Sequence, residues 1–197
     1  GSLDGVQSVK DLLAQVFKVK DMGPSAFYLG MDLIRNRAKR TLSIGQKRYV
    51  KDILTKYGVD EMKPKSLPLP STPLSRSGTV LEPITPSYCE IIGSLMYLAV
   101  CSRPDISQAV GALARYMSNP TEEHYRAAKH VLAYLAGTSE MMLHYGDLEN
   151  GAELTGYCDS DYAGDVDTRR STTAFVFTLN GGAITWSSRL QPTVAAS

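Results

Sequence analysis

A chain of 197 residues with 43% hydrophobic and 21% charged residues can bury one or two real cores and is neither disordered nor fibrous in composition. Its formal net charge is only +1, no apolar run approaches a membrane span, and no signal-peptide pattern opens it, so no membrane partner is expected. Three cysteines (Cys89, Cys101, Cys158) without C-x-x-C spacing point to a reducing intracellular compartment, cytoplasmic or nuclear, and away from structural zinc.

Ser8 and Asp11 read as a capping pair for a helix whose apolar positions are Val9, Leu12, Leu13, Val16 and Phe17, ending near Lys20. Gly1-Ser2 reads as a cloning remnant, and the missing initiator Met suggests a fragment. Phe27 to Ile34 reads as a strand, Arg35 to Lys39 as a charged hairpin tip, and Thr41 to Ile44 as the returning strand. Gln46 to Tyr57 is helical, with Tyr49, Val50, Ile53, Leu54 and Tyr57 on one face and Gly58 as its stop. Glu61 to Pro86 holds six of the ten prolines and reads as an extended, semi-rigid connector without a helix.

Three helices come next. Ser87 with Glu90 caps the first, Ser102 with Asp105 and Pro104 starts the second, and Asn119-Pro120 starts the third, which closes at Gly137. Apolar stripes through Ile91, Leu95, Val110, Leu113, Val131 and Leu135, joined by short connections, predict an antiparallel three-helix bundle. Tyr88, Tyr97 and Tyr134 sit at apolar positions and are expected in the core. His124, His130 and His144 lack any spacing for a metal or a nucleophile. Met141 to Tyr145 reads as a short strand, and Gly146 to Gly151 as a turn. The run Leu154 to Tyr157 then delivers Asp159 and Asp161 at its end. Thr172 to Leu179 and Ala183 to Trp186 form a hairpin around Asn180-Gly181-Gly182.

Charge is distributed unevenly. Ten Lys or Arg and three acidic residues lie between Arg35 and Lys65, whereas eight acidic residues and no Lys or Arg lie between Glu140 and Asp167. A basic part that holds nucleic acid and an acidic part that receives it would suit this pattern. A calcium loop at Asp159-x-Asp161-x-x-Gly164 is rejected. Its fifth position is Ala163 and its twelfth is Arg170, where a bidentate Glu belongs.

The residues around these elements resemble a known family. Tyr157-x-Asp159-x-Asp161-Tyr-Ala-Gly, Arg169-Arg170-Ser171-Thr172 and Trp186-Ser187-Ser188 look like the ribonuclease H segment of Ty1/copia-type retrotransposon Pol polyproteins. Lys20-Asp21-Met22-Gly23, Phe27-Tyr28-Leu29-Gly30-Met31 and Gln46-Lys47-x-Tyr49-Val50-x-Asp52-Ile53-Leu54 look like the end of its reverse transcriptase palm and the start of its thumb. Gly93-Ser-Leu-Met-Tyr97, Arg103-Pro104-Asp105-Ile106 and His130-Val-Leu-Ala-Tyr134 look like its thumb and connection. The resemblance implies an α+β fold with residues 1–58 as residual palm, 59–86 as linker, 87–138 as thumb and connection, and 139–197 as a partial ribonuclease H domain. It implies that Phe27, Tyr28, Leu29 and Gly30 match a primer grip. Lys47, Arg48, Lys51, Arg115, Arg126 and Lys129 become candidates for contact with the nucleic-acid backbone, and Asp159, with Asp161, becomes a weak Mg²⁺ site.

The family's Tyr-x-Asp-Asp polymerase motif occurs nowhere in the sequence, and its second ribonuclease H carboxylate would lie beyond Ser197. Neither polymerisation nor hydrolysis is expected of this chain by itself. Only the first three of the family's five sheet strands are present, which leaves the first strand's edge open to a second copy or a partner strand. The expectation is a catalytically incomplete fragment that binds RNA–DNA hybrid without sequence preference. The alternatives are a domesticated protein-interaction module and a nuclease completed in trans.

Overall fold

A computed structural model describes residues 2–59, 61–70, 72–80, 87–146 and 153–196. Connector residues 81–86, and the part of the expected Gly146–Gly151 turn beyond Gly146, lie outside the described residues. The fold is α+β, with helices beside two antiparallel sheets, and no helix among the described residues is long and apolar enough to cross a membrane.

Helix α1 (Leu3–Val16) begins six residues before the expected start. Ser2 caps it by accepting from the Gly5 amide (3.1 Å), while the Ser8 hydroxyl donates back to the Asp4 carbonyl instead of capping. No residue of α1 is buried.

One apolar cluster draws on four later helices: α2 (Lys47–Lys56), α3 (Tyr88–Cys101), α4 (Ser107–Ala114) and α5 (Glu122–Gly137). Val50 and Ile53 of α2 meet Ile92, Leu95, Leu113, Val131 and Leu135, all nearly inaccessible, each contributing about 1.5–3 kcal/mol by burial. The Ser87 hydroxyl caps α3 by accepting from the Glu90 amide (3.2 Å).

The other two helix starts differ from the sequence reading. Ser102 is the C-cap of α3, and its hydroxyl donates to Gln46 Oε1 (2.7 Å) rather than capping the next helix. Pro104–Ile106 is a 3-10 turn that leads into α4, and α4 ends at Ala114, before Met117. Thr121, not Asn119, caps α5, because His124 at its third position accepts the Thr121 amide (2.9 Å) and completes a capping box.

The first sheet has the order β1 (Phe27–Tyr28), β2 (Met31–Asn36), β3 (Thr41–Gly45), β4 (Leu143–Tyr145). Phe27 to Ile34 is therefore two strands, because Leu29 and Gly30 (φ 46° and 74°) turn the chain back on itself. The second sheet has the order β5 (Leu154–Ser160), β6 (Thr172–Leu179), β7 (Gly182–Leu190), with Asn180 and Gly181 (φ 50° and 81°) closing the β6–β7 hairpin. Positive φ at both central positions is the turn that matches strand twist. The sheets abut where the Tyr145 hydroxyl donates to the Ala183 carbonyl (2.6 Å), and the Trp186 indole ties β7 to α3 through the Ala99 carbonyl (2.7 Å).

The proline-rich connector forms no helix among its described residues, yet it is strapped to the body. The Lys65 amide donates to the Ala133 carbonyl (3.3 Å), His130 meets the Leu67 carbonyl (3.1 Å), and Val80 bridges to Thr121. Leu69 and Leu74 pack on the core.

Candidate nucleic-acid interface and acidic strand end

The β1–β2 turn lies against α2 and α3. Leu29 occupies the left-handed region, which costs a branched apolar side chain about 1 kcal/mol or more. The Tyr97 hydroxyl holds it there by donating to the Leu29 carbonyl (2.7 Å), and Tyr97 in turn meets the Tyr49 ring edge-on at 5.0 Å. Tyr97 is thus a partly exposed clamp rather than a core residue. Phe27, Tyr28 and Leu29 remain 48%, 61% and 66% exposed.

Arg48 reaches this turn from the first turn of α2. Its guanidinium lies 5.0 Å from the Phe27 ring centre and 3.3 Å from Asp32. Lys51, one turn on, is exposed and has no ion-pair partner among the described residues. Lys47 pairs with Glu140 (2.6 Å), both side chains being largely exposed, a contact worth little. The structure therefore brings Arg48 to the turn that exposes Phe27, Tyr28 and Leu29, with Lys51 exposed on the same helix.

The remaining cations lie elsewhere. Arg126 pairs with Glu122 one turn back on α5 (3.1 Å), and Lys129 lies 5.0 Å from the Tyr125 ring centre. Arg115 is committed to the protein's own interior. It donates to Asp165 (3.2 Å), whose side chain is 4% exposed, and to the Ala112 carbonyl (3.3 Å).

At the acidic end, Asp159, one residue before the end of β5, has an exposed carboxylate that accepts the amide of its neighbour Ser160 (2.8 Å). Asp161 is turned into the β5–β6 loop, where it accepts the Thr172 amide (2.7 Å) and leaves no room for a Cβ at Gly164. Asp165 also accepts from Thr168, and Asp167 accepts the Arg76 amide (3.1 Å) and the Tyr116 hydroxyl (3.2 Å). Three of the four aspartates therefore organise a loop. Among the described residues no group of three or more His, Cys, Asp or Glu side chains gathers as a metal cage. The donor set facing outward is Asp159, which fits a hydrated Mg²⁺ ion and not a dehydrated one.

Two residues that join these parts had no sequence signal as partners. Burial pushes the Tyr116 phenol up to about 12, so it stays a donor to Asp167 and to the Leu74 carbonyl (3.0 Å). Its ring stacks on the buried His124 imidazole at 3.8 Å, and burial holds that imidazole below its usual pKa. The Thr121-x-x-His124 spacing could have been read as a capping pair.

Comparison with known proteins places the chain. It is 39% identical over 203 residues to a retrovirus-related Pol polyprotein from transposon TNT 1-94 of Nicotiana tabacum, covering 98% of this chain and 15% of that protein. It is 41% identical over 191 residues to the corresponding polyprotein from transposon RE1 of Arabidopsis thaliana, covering 95% of this chain and 13% of that protein. An uncharacterized mitochondrial protein of Arabidopsis thaliana, AtMg00810, is 37% identical over 94% of this chain and 75% of its own length. The chain thus spans about one seventh of the polyproteins it matches. No family model matches it, and no solved structure matches it. Alignment along nearly its whole length shows that the chain is homologous to one segment of the Ty1/copia-type, retrovirus-related Pol polyproteins of transposons.

Proposed function

We propose that this retrotransposon-derived segment binds nucleic acid, preferentially RNA–DNA hybrid, without sequence preference, through the surface shared by α2 and the β1–β2 turn. The observation that carries the reading is the Arg48 guanidinium over the exposed Phe27 ring, beside exposed Tyr28 and Leu29, with Lys47 and Lys51 on the same helix. Exposed cations beside exposed aromatic rings suit a phosphate backbone and its terminal bases. On this reading, residues 1–58 correspond to the end of a reverse transcriptase palm, 87–138 to its thumb and connection, and 139–197 to the start of a ribonuclease H domain. Arg126 and Lys129 add a second, weaker contact, and Arg115 acts indirectly by fixing the acidic loop.

Mg²⁺ would be held at Asp159 largely through water, with Asp161 too engaged to do more than orient it. The natural compartment is intracellular and reducing, in keeping with three free thiols.

Fluorescence anisotropy with hybrid, duplex DNA and single strands across a salt series tests the proposal. Binding should weaken steeply with salt, and reversing Lys47, Arg48 and Lys51 to Glu should lower affinity more than about tenfold and flatten the salt slope. Absence of binding at low salt would overturn it. A second reading rests on β5, which pairs only with β6 among the described residues and so offers an edge for a partner strand. A partner complex lost on placing Pro within Leu154 to Tyr157, yet indifferent to the α2 reversals, would favour that reading. Mg²⁺-dependent cleavage abolished by Asp159→Asn would instead indicate a nuclease completed by carboxylates from another chain.

A further inference from the structure

The β2–β3 hairpin closes on a concentrated block of positive charge. Residues 35–40 read Arg-Asn-Arg-Ala-Lys-Arg, with no acidic residue among them, in a chain whose net charge is only +1. All six are exposed. Arg35, Arg37, Lys39 and Arg40 have no ion-pair partner among the described residues. A block of like charges repels itself until an external counter-charge meets it.

The tip is held in a defined shape. Asn36 Oδ1 accepts the Lys39 amide (3.0 Å), and the Arg37 carbonyl accepts the Arg40 amide (3.3 Å). The end of β4 lies against it, since a Cβ on Gly146 would run into the Arg40 carbonyl. Arg40 itself takes φ 56°, the left-handed region that strains residues other than Gly, Asn and Asp. Its exposed side chain makes no ion pair within the described residues that would offset this strain. Strain of this kind gathers where a chain clamps a ligand.

One ladder connects the tip to the α2 surface. Arg48 pairs with Asp32 on β2 (3.3 Å), and Asp32 and Asn36 lie four residues apart on that strand. At about 3.3 Å per residue the two basic points are about 13 Å apart, the span of about four nucleotides at ~3.4 Å each. A polyanion with charge repeated along its length can meet both points. Three of the four cations are arginines, whose forked donors match phosphate oxygens in pairs.

We propose that Arg35, Arg37, Lys39 and Arg40 form a second phosphate contact for the nucleic acid engaged at α2, lengthening the footprint by about four nucleotides. The proposal rests on the α2 reading and adds to it a set of residues and a length.

Anisotropy of an RNA–DNA hybrid of about 12 base pairs, read across a salt series with the full chain, tests it. Arg35→Ala, Arg37→Ala and Lys39→Ala together should weaken binding about tenfold or more. They should also lower the slope of log affinity against log salt by about two to three, with unchanged circular dichroism. Lys18→Ala, Lys20→Ala and Lys63→Ala together remove the same charge outside the hairpin and should lower the slope by less than about one. Arg40→Asn should raise the denaturation midpoint, because Asn tolerates positive φ, while weakening binding about threefold. Equal slope changes for the two triple variants would overturn the proposal, as would phosphatidylserine vesicles bound through the tip while hybrid affinity ignores it. A tip variant that binds like the parent, beside α2 reversals that lower affinity, overturns the tip contact alone. The opposite pattern overturns the α2 reading alone, and absence of binding at low salt overturns both.

Discussion

At the scale of single residues, His124 and the Arg115–Asp165 pair decide how the acidic loop is held. Burial lowers the His124 pKa, and its Nδ1 must stay unprotonated to accept the Thr121 amide. A depressed histidine is favoured in its neutral form, so its contribution to stability is complete above the unfolded value near 6.5 and is lost as pH falls below it. Thermal melts should drop between neutral and mildly acidic pH, and His124→Gln, which keeps an acceptor at the capping position, should flatten that dependence. Removing Arg115 strands the Asp165 carboxylate, so Arg115→Ala should cost about 2–4 kcal/mol by denaturant unfolding, whereas Arg126→Ala, which breaks an exposed pair, should cost less than about 0.5 kcal/mol.

At the scale of elements, the β1–β2 turn is the strained piece. Leu29 gains little from burial and sits at φ 46°, a conformation that Asn tolerates far better. Leu29→Asn should raise stability by about 0.5–1 kcal/mol, read as a higher denaturation midpoint at unchanged slope. Gly30→Ala should do the opposite and cost about 1–3 kcal/mol, because φ is 74° and the new Cβ would lie 2.9 Å from the Tyr97 hydroxyl. If the turn presents Phe27 and Tyr28 to nucleic acid, Gly30→Ala should also weaken binding while Leu29→Asn preserves it.

At the scale of the molecule, three polar links tie the β5–β7 sheet and its loop to the helices among the described residues. Trp186 and Ala99 form one link, the Arg115–Asp165 pair another, and the strap through Leu74, Arg76 and Asp167 a third. Trp186→Phe keeps an aromatic ring but is smaller and deletes the donor, so it should cost about 1 kcal/mol or more and lower the protection of β7 amides in hydrogen exchange more than that of α3.

The features that the sequence determined alone are local. Asn180-Gly181 specifies a turn with positive φ, Ser87 a helix cap, and the spacing of Ile91, Leu95, Val131 and Leu135 an apolar face, because each depends on neighbours along the chain. The membership of Lys47, Arg48 and Lys51 in a basic stretch and the place of Asp159 at a strand end were legible for the same reason. Tertiary structure alone decided that α2 shares the core of the later helices, that β4 joins the first hairpin, and that the proline-rich stretch is a strap. It also decided that Arg115, Asp161, Asp165 and Asp167 are spent within the protein, while Arg48 lies over Phe27. Each of these is a contact between residues far apart in sequence, where shape, burial and an available partner decide, and no local pattern encodes which partner will be within reach.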